Sequence, residues 1–230
     1  MACTSSPDNR PRYFWGVYND CYAGGNGTSN YVDIFGWGNG YLAGSRNIRT
    51  LDVDGNQWIA GAYSSGGGDY SEEYEWIDEN PNNEDRRGLF VTLKGRKLVL
   101  ATKDDNYILG VMSANPSIKG NSADSEWFWK YKRDIFETHI KDENGNLILS
   151  EEFDPNKKYI PRNMRSEYDY IGTHGQLIVV DDGTCEVDGY CCAGENGVGT
   201  RCDDMEKEYR KLAFRVTERL DETHVRIVIK

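Results

Sequence analysis

Hydrophobic and polar positions in this chain alternate over short runs, with the period of strands rather than of helices. RYFWGVY (12–18), YVDIF (31–35), NIRTLDV (47–53) and QWIAGAY (57–63) are rich in β-branched and aromatic residues, and Gly/Asn-rich turns separate them. Asp54-Gly55 between the last two is a hairpin signal, because a type I′ turn needs the positive φ that Asp and Gly tolerate. Further on, GLFVTLKGRKLVLA (88–101) predicts a hairpin around Lys94-Gly95, and NYILGVMSA (106–114) an apolar strand. Asn144-Gly145 within KDENGNLIL sets another hairpin, and Asp182-Gly183 follows the apolar run QLIVV. KLAFRVTERL and THVRIVIK predict two closing strands. The one helix expected is SEWFWKYKRDIF (125–136), with Trp127, Phe128 and Tyr131 forming one face. The fold class is therefore mostly β, with at most one or two short helices.

Composition changes this picture by showing a seam. The 230 residues carry a formal charge of −11, and their 25 Gly and 15 Tyr give a chain with too many aromatics for disorder. Yet residues 1–68 contain neither Lys nor Glu, stay near neutrality and hold about half of the Gly. The excess negative charge belongs to residues 69–230. The two compositions meet at Ser64-Ser65-Gly66-Gly67-Gly68, a run suited to a flexible or tightly turning connection. Two regions are expected, 1–68 and 69–230. The Gly density of the first suits the end of a β-solenoid or an intertwined stalk.

The charge argues against nucleic acid and anionic membranes as partners, since both would repel an acidic surface. No apolar run approaches the roughly 18 residues of a membrane span, and MACTSSPDNR has no signal-peptide core. Three scattered His (His139, His174, His224) leave little for a metal site, and DVDGN lacks the other ligands of a calcium loop. The cysteines Cys185, Cys191, Cys192 and Cys202 lack the paired CxxC spacing of structural zinc sites. GENGVG (194–199) lacks the Lys and helix of a phosphate loop and is expected as a loop between strands. No cofactor is expected. The aromatic residues Trp15, Tyr18, Tyr31, Trp37 and Tyr41 are assigned to packing rather than to stacking on sugars.

At the seam sits G-G-G-D-Y-S-E-E-Y-E-W-I-D-E-N-P (66–81). It resembles the opening of the autoproteolytic intramolecular-chaperone domain at the C-terminus of phage tailspike and pre-neck appendage proteins, which typically reads G-A-D-Y-A-E-x-F-E-W-x-D-G-N-P. GLFVTLKGRKLVLA, YILGVMSANPSIKGNSAD (107–124), DDGTCEVDGYC (181–191) and RLDETHVRIVIK resemble later segments of the same family, in order, so the resemblance covers about 69–230. It implies a homotrimer assembled through this domain, which then cuts the chain at its own N-terminal edge, by chemistry of the glutamic-peptidase type. It also implies a virion location on a tail or neck appendage, with assembly in the host cytoplasm, a reducing compartment in which the cysteines are expected as reduced, small buried side chains. Carried over, the scissile bond is Gly68–Asp69, and Asp69 and Glu72 are the candidate catalytic carboxyl groups. Ser71 replaces an Ala of the pattern, and Glu73 adds a like charge beside Glu72.

The chemistry suits those residues. Amide hydrolysis near neutral pH needs a base to activate water and an acid for the leaving amine, and two carboxyl groups can share that work. An alternative has Asp69 position the water while Glu72 acts as base. Ser71 has no His or Lys nearby in sequence to activate it as a nucleophile. Two further functional classes stay open at this point. One is a non-cleaving trimerisation tip of a tail fibre that binds a receptor or a host-surface glycan. The other is a small carbohydrate-binding β-module.

Overall fold

The computed structural model describes residues 62–124, 127–203 and 212–230, together with the strand backbone at 2–3, 12–13, 31–37, 46–52 and 57–59. The chain folds as two compact units, Met1–Ser65 and Gly66–Lys230. In the first, β1 (Ala2–Cys3) pairs with β2 (Arg12–Tyr13), and β3 (Tyr31–Trp37), β4 (Arg46–Asp52) and β5 (Gln57–Ile59) form a three-stranded antiparallel sheet. The Asp54-Gly55 turn, Cys21 and most of RYFWGVY lie outside the described residues.

The second unit is built on a ten-stranded sheet. Its strands are β6 (Asp69–Glu75), β7 (Phe90–Lys94), β8 (Lys97–Leu100), β9 (Gly110–Met112), β10 (Ile118–Gly120), β11 (Tyr168–Val180), β12 (Tyr190–Ala193), β13 (Gly199–Arg201), β14 (Ala213–Arg219) and β15 (His224–Ile229). The path runs β13-β12-β14-β15-β11-β9-β7-β8, with β6 pairing β11 and β10 off it. All these pairs are antiparallel except β6 with β10. The protein is mostly β, as the alternation predicts. The β7–β8 hairpin turns at Gly95, whose φ of +63° suits glycine. Of the strand expected over 106–114, only Gly110–Met112 forms. GENGVG is a loop between β12 and β13 that contains a short 3₁₀ turn, Glu195–Gly197.

Strand β11 holds the sheet together, pairing with β15, β6 and β9. Two apolar clusters flank it. One gathers Phe90, Val111, Leu177, Val179, Phe214, Val216, Val225 and Ile227. The other gathers Trp76, Val91, Leu98 and Ile171 under Tyr74, Leu93 and Met112. In the first, the Phe90 and Phe214 rings stack with centroids 5.4 Å apart, so side chains distant in sequence close the core.

Two expectations are corrected. The helix over 125–136 does not form across its described residues, 127–136. Instead, three short segments close on one another. Lys132 N–H donates to Ile148 O, Ile148 N–H to Ile140 O, and Ile140 N–H back to Lys132 O. The reason is local: the Asp134 carboxylate accepts the N–H groups of Phe136 and Thr138, and Asp142 does the same for Asn144 and Asn146. Such side-chain bonds offer the backbone a turn that competes with a helix. The cysteines are not all reduced either. Cys192 and Cys202 form a disulfide across the end of the β12–β13 hairpin, while Cys185 and Cys191 are free and buried.

Candidate functional site: the Gly68–Asp69 bond

The candidate site is a segment of the chain's own backbone lying in a cleft. Residues 66–69 run between Gly175-Gln176 of β11 and the loop 113–117, and each carbonyl in turn meets a donor. Gly66 O accepts from the Asn115 side chain, Gly67 O from the Ser117 hydroxyl, Gly68 O from the Gln176 N–H at 3.0 Å, and Asp69 O from the Ser117 N–H at 2.7 Å. The Gln176 bond extends the β6–β11 ladder by one step past Gly175–Asp69 and falls on the carbonyl of the candidate scissile bond. A backbone N–H there polarises the carbonyl and is placed to meet the negative charge that grows on its oxygen during hydrolysis.

The cleft closes only because of glycine. A Cβ on Gly67 would lie 2.5 Å from Asn115 O and Ser117 N, and one on Gly68 would lie 2.8 Å from Gln176 O. Gly175, with φ of +112°, faces Gly68 O and Asp69 Cα so closely that a side chain would collide with the bond itself. The loop 113–117 thus leaves no room for a side chain at position 67. A cavity of about 500 Å³ opens beside the segment, lined among others by Ser113, Arg87, His224 and Arg226.

Strand alternation sorts the acidic run onto two faces. Asp69, Ser71 and Glu73 are buried on one; Tyr70, Glu72 and Tyr74 lie on the other, where Tyr70 is exposed. The Asp69 carboxylate accepts the Ser71 hydroxyl on Oδ2 at 2.5 Å and the Ser113 hydroxyl on Oδ1 at 3.0 Å. Glu72 accepts the Tyr70 and Tyr74 hydroxyls, each at 2.9 Å. Those bonds raise both tyrosine pKa values: for Tyr70 the Glu72 hydrogen bond is the main cause, whereas burial comes first for Tyr74, which reaches about 12. Three residues of strand separate Asp69 from Glu72 by about 10 Å, and they point to opposite faces. Within one chain the structure brings Asp69 to the bond and does not bring Glu72 to it.

Glu73 has a different setting from the one its neighbour suggests. It points away from Glu72, and its carboxyl is only 1% exposed. Oε2 accepts the Ala123 N–H and the Arg162 guanidinium, each at 3.1 Å, while Oε1 has no partner. Burial pushes its pKa up; Arg162 and the Ala123 N–H oppose this, and Asp124 adds to it. Glu72 is not among the causes, so the expected like-charge effect is replaced by desolvation. A carboxyl raised above its unfolded value stabilises the fold fully below the ordinary Glu range and loses that contribution as pH rises through the folded value. Glu73→Gln is expected to flatten the fall in melting temperature between about pH 4 and 7, which thermal melts across that range will measure.

Sequence reasoning names Gly68, Asp69 and Glu72 as candidates but does not point to Ser113, Asn115, Ser117, Gln176 and Arg162, which the structure places around the motif. One signal was available: Gly175 interrupts the run before QLIVV, and a glycine inside a strand pattern marks a bulge or a close backbone approach. The pairing of β11 with β6 shifts register between Gly172 and His174, two residues before the contact with Gly68. Among the described residues no group of three His, Cys, Asp or Glu side chains is placed to hold a metal ion.

Comparison with known proteins gives this geometry a family. A family model described as Peptidase_G2, IMC autoproteolytic cleavage domain, matches residues 19–224. The chain belongs to the Peptidase_G2 family. It is 30% identical over 187 residues to the putative phage-related protein YobO of Bacillus subtilis (strain 168), covering 76% of this chain and 23% of that one. The pre-neck appendage protein of Bacillus phage phi29 is 28% identical over 172 residues, covering 71% of this chain and 18% of that protein. This chain therefore spans less than a quarter of the length of these relatives. Among solved structures, pre-mature phi29 gene product 12 superposes with a TM-score of 0.64 at 25% identity, over 79% of this chain and 24% of that one. The C-terminal fragment of the same gene product superposes at 0.55 and 26% identity, over 70% of this chain and all of the fragment. The family match begins at residue 19, upstream of the compositional seam, so the Peptidase_G2 region takes in part of the first unit.

Proposed function

We propose that this Peptidase_G2 chain is an intramolecular chaperone of a phage appendage, which assembles three copies of itself and then hydrolyses its own Gly68–Asp69 bond. The observation that carries this reading is the backbone of residues 66–69 lying in its own cleft, with the Gly68 carbonyl on the Gln176 N–H and the Asp69 carboxylate buried next to the leaving nitrogen. Asp69 needs no folding to reach that nitrogen, because its side chain branches from the adjoining Cα. Water adds to the Gly68 carbonyl carbon, the C–N bond breaks, and the water's proton passes through a carboxylate to the Asp69 nitrogen, which becomes a new N-terminus. Residues 1–68 then remain as the end of a β-rich stalk, and 69–230 form the part that leaves.

Glu72 enters this scheme from a second copy. It lies on the opposite face from Asp69, beside the exposed Tyr70, where a neighbouring chain in a homotrimer would meet it. A virion location on a tail or neck appendage, with assembly in the host cytoplasm, accompanies this reading and is supported by the appendage proteins among the relatives. The distance between Glu72 and the bond within one chain favours a second reading, a non-cleaving trimerisation tip that binds a receptor or glycan. The two are separated by following the full chain on denaturing gels. Wild type is expected to be cut, with Asp69→Ala and Glu72→Ala each slowed about 100-fold or more. Mixed assembly of the two variants should restore cutting if the two carboxyl groups come from different chains. A wild-type chain that stays intact overturns the peptidase reading.

A further inference from the structure

We propose that Ser113 and Ser71 are positioning residues for the cleavage, a pair of hydroxyls that fixes the Asp69 carboxylate beside the Gly68–Asp69 bond. The inference rests on the self-cleavage reading above and adds two groups to it. Asp69 is 5% exposed, Ser71 0% and Ser113 7%, so all three are shut away from bulk water. A buried carboxylate without donors is costly, and here each oxygen has one: Ser71 Oγ on Oδ2 and Ser113 Oγ on Oδ1. Held at both oxygens, the carboxylate cannot rotate about its last torsion.

The two hydroxyls come from different places, which is why they act as a clamp. Ser71 belongs to the same strand as Asp69 and shares its face. Ser113 follows β9, and its own N–H donates to Tyr170 O at 2.8 Å, fixing it against β11. Gly172 on β11 completes the fit, since a Cβ there would lie 2.7 Å from Asp69 Oδ2. The same loop that supplies Ser113 also supplies Asn115 and Ser117, which hold the carbonyls of 66, 67 and 69. One element thus fixes both the backbone to be cut and the carboxylate beside it. Ser71 stands where the family pattern has alanine, so it is a second donor that departs from that pattern.

The test uses the full chain and the rate of cutting at Gly68–Asp69 as a function of pH. The other charged groups lining the adjoining cavity, Asp85, Arg87, His224 and Arg226, stay unchanged, as do Glu73 on the same strand face and Glu72 on the opposite one. Ser113→Ala is expected to slow cutting about tenfold or more, and Ser71→Ala by a smaller factor. In both, the acid limb of the pH–rate profile should move to higher pH, because a carboxylate deprived of a donor takes up a proton more readily. Ser113→Thr, which keeps the hydroxyl, should restore rate and profile. Wild type cut at Gly68–Asp69 together with Ser113→Ala cut at the same rate across the profile overturns this proposal alone. A Ser113→Ala that is slow, with an unmoved acid limb and no rescue by threonine, also overturns it, because that pattern marks a merely structural role. A wild type that is never cut overturns both this proposal and the reading beneath it.

Discussion

Gly67→Ala is expected to abolish the proposed cutting at Gly68–Asp69, while Gly66→Ala, one residue away, is expected to leave its rate unchanged. The contrast follows from what each new methyl meets. At Gly66 a Cβ finds nothing within 4 Å. At Gly67 it meets the backbone of Asn115, Pro116 and Ser117 at 2.5–2.6 Å, and backbone atoms cannot swing aside as a flexible side chain does. The segment must then lift from the cleft, which pulls Gly68 O from Gln176 and Asp69 O from Ser117. A displacement near 1 Å of reacting groups costs about 100-fold in rate, so loss of cutting by that factor or more is expected. Gly67 lies outside β6, so the melting temperature should move by little more than about one or two degrees. Timed gels and thermal melts of the two variants read both quantities.

Trp76→Ala is the variant with the largest expected loss of stability. Trp76 is 1% exposed just past the C-terminal end of β6, packed in the cluster with Val91, Leu98 and Ile171. Its indole N–H donates to Asp169 Oδ2 at 2.7 Å, and the Arg86 guanidinium lies 4.4 Å from the ring centroid. Removal leaves a cavity, a half-buried Asp169 carboxylate without its indole donor, and an Arg without its ring. Large-to-small changes of this kind cost about 3–5 kcal/mol, or about 10 °C in melting temperature for a unit of this size. Burial already holds the Asp169 pKa up, opposed by the Trp76 hydrogen bond and by Arg86. Losing the indole bond pushes it further up, so the variant's deficit should widen as pH rises from about 4 to 7.

Much of the fold was legible because alternation and turn chemistry are local. The β7–β8 hairpin, β14, β15 and the β11 run before Asp182-Gly183 each follow from a short contiguous stretch of sequence. The failed helix shows the limit of a face drawn from three aromatics. Trp127, Phe128 and Tyr131 mark a side, but Asp134 and Asp142 recur at turn positions and their carboxylates bind the backbone. The site was half legible for a similar reason. Asp69, Glu72 and the glycines beside them sit in one contiguous motif. The groups around them, Ser113, Ser117, Arg162 and Gln176, lie far downstream in sequence, and pairing of β6 with β11 and β10 brings these distant segments to the motif. The motif also hid a division: read as a line, Asp69 and Glu72 look like partners, but strand geometry sends them to opposite faces.

Whether this chain breaks its own Gly68–Asp69 bond is tested most directly by N-terminal sequencing of the fragment that accumulates when the purified full chain is incubated. Self-cleavage at that bond predicts Asp69-Tyr70-Ser71 as the first three residues. A different N-terminus, or a chain that keeps Met1 and one unbroken mass throughout, contradicts it.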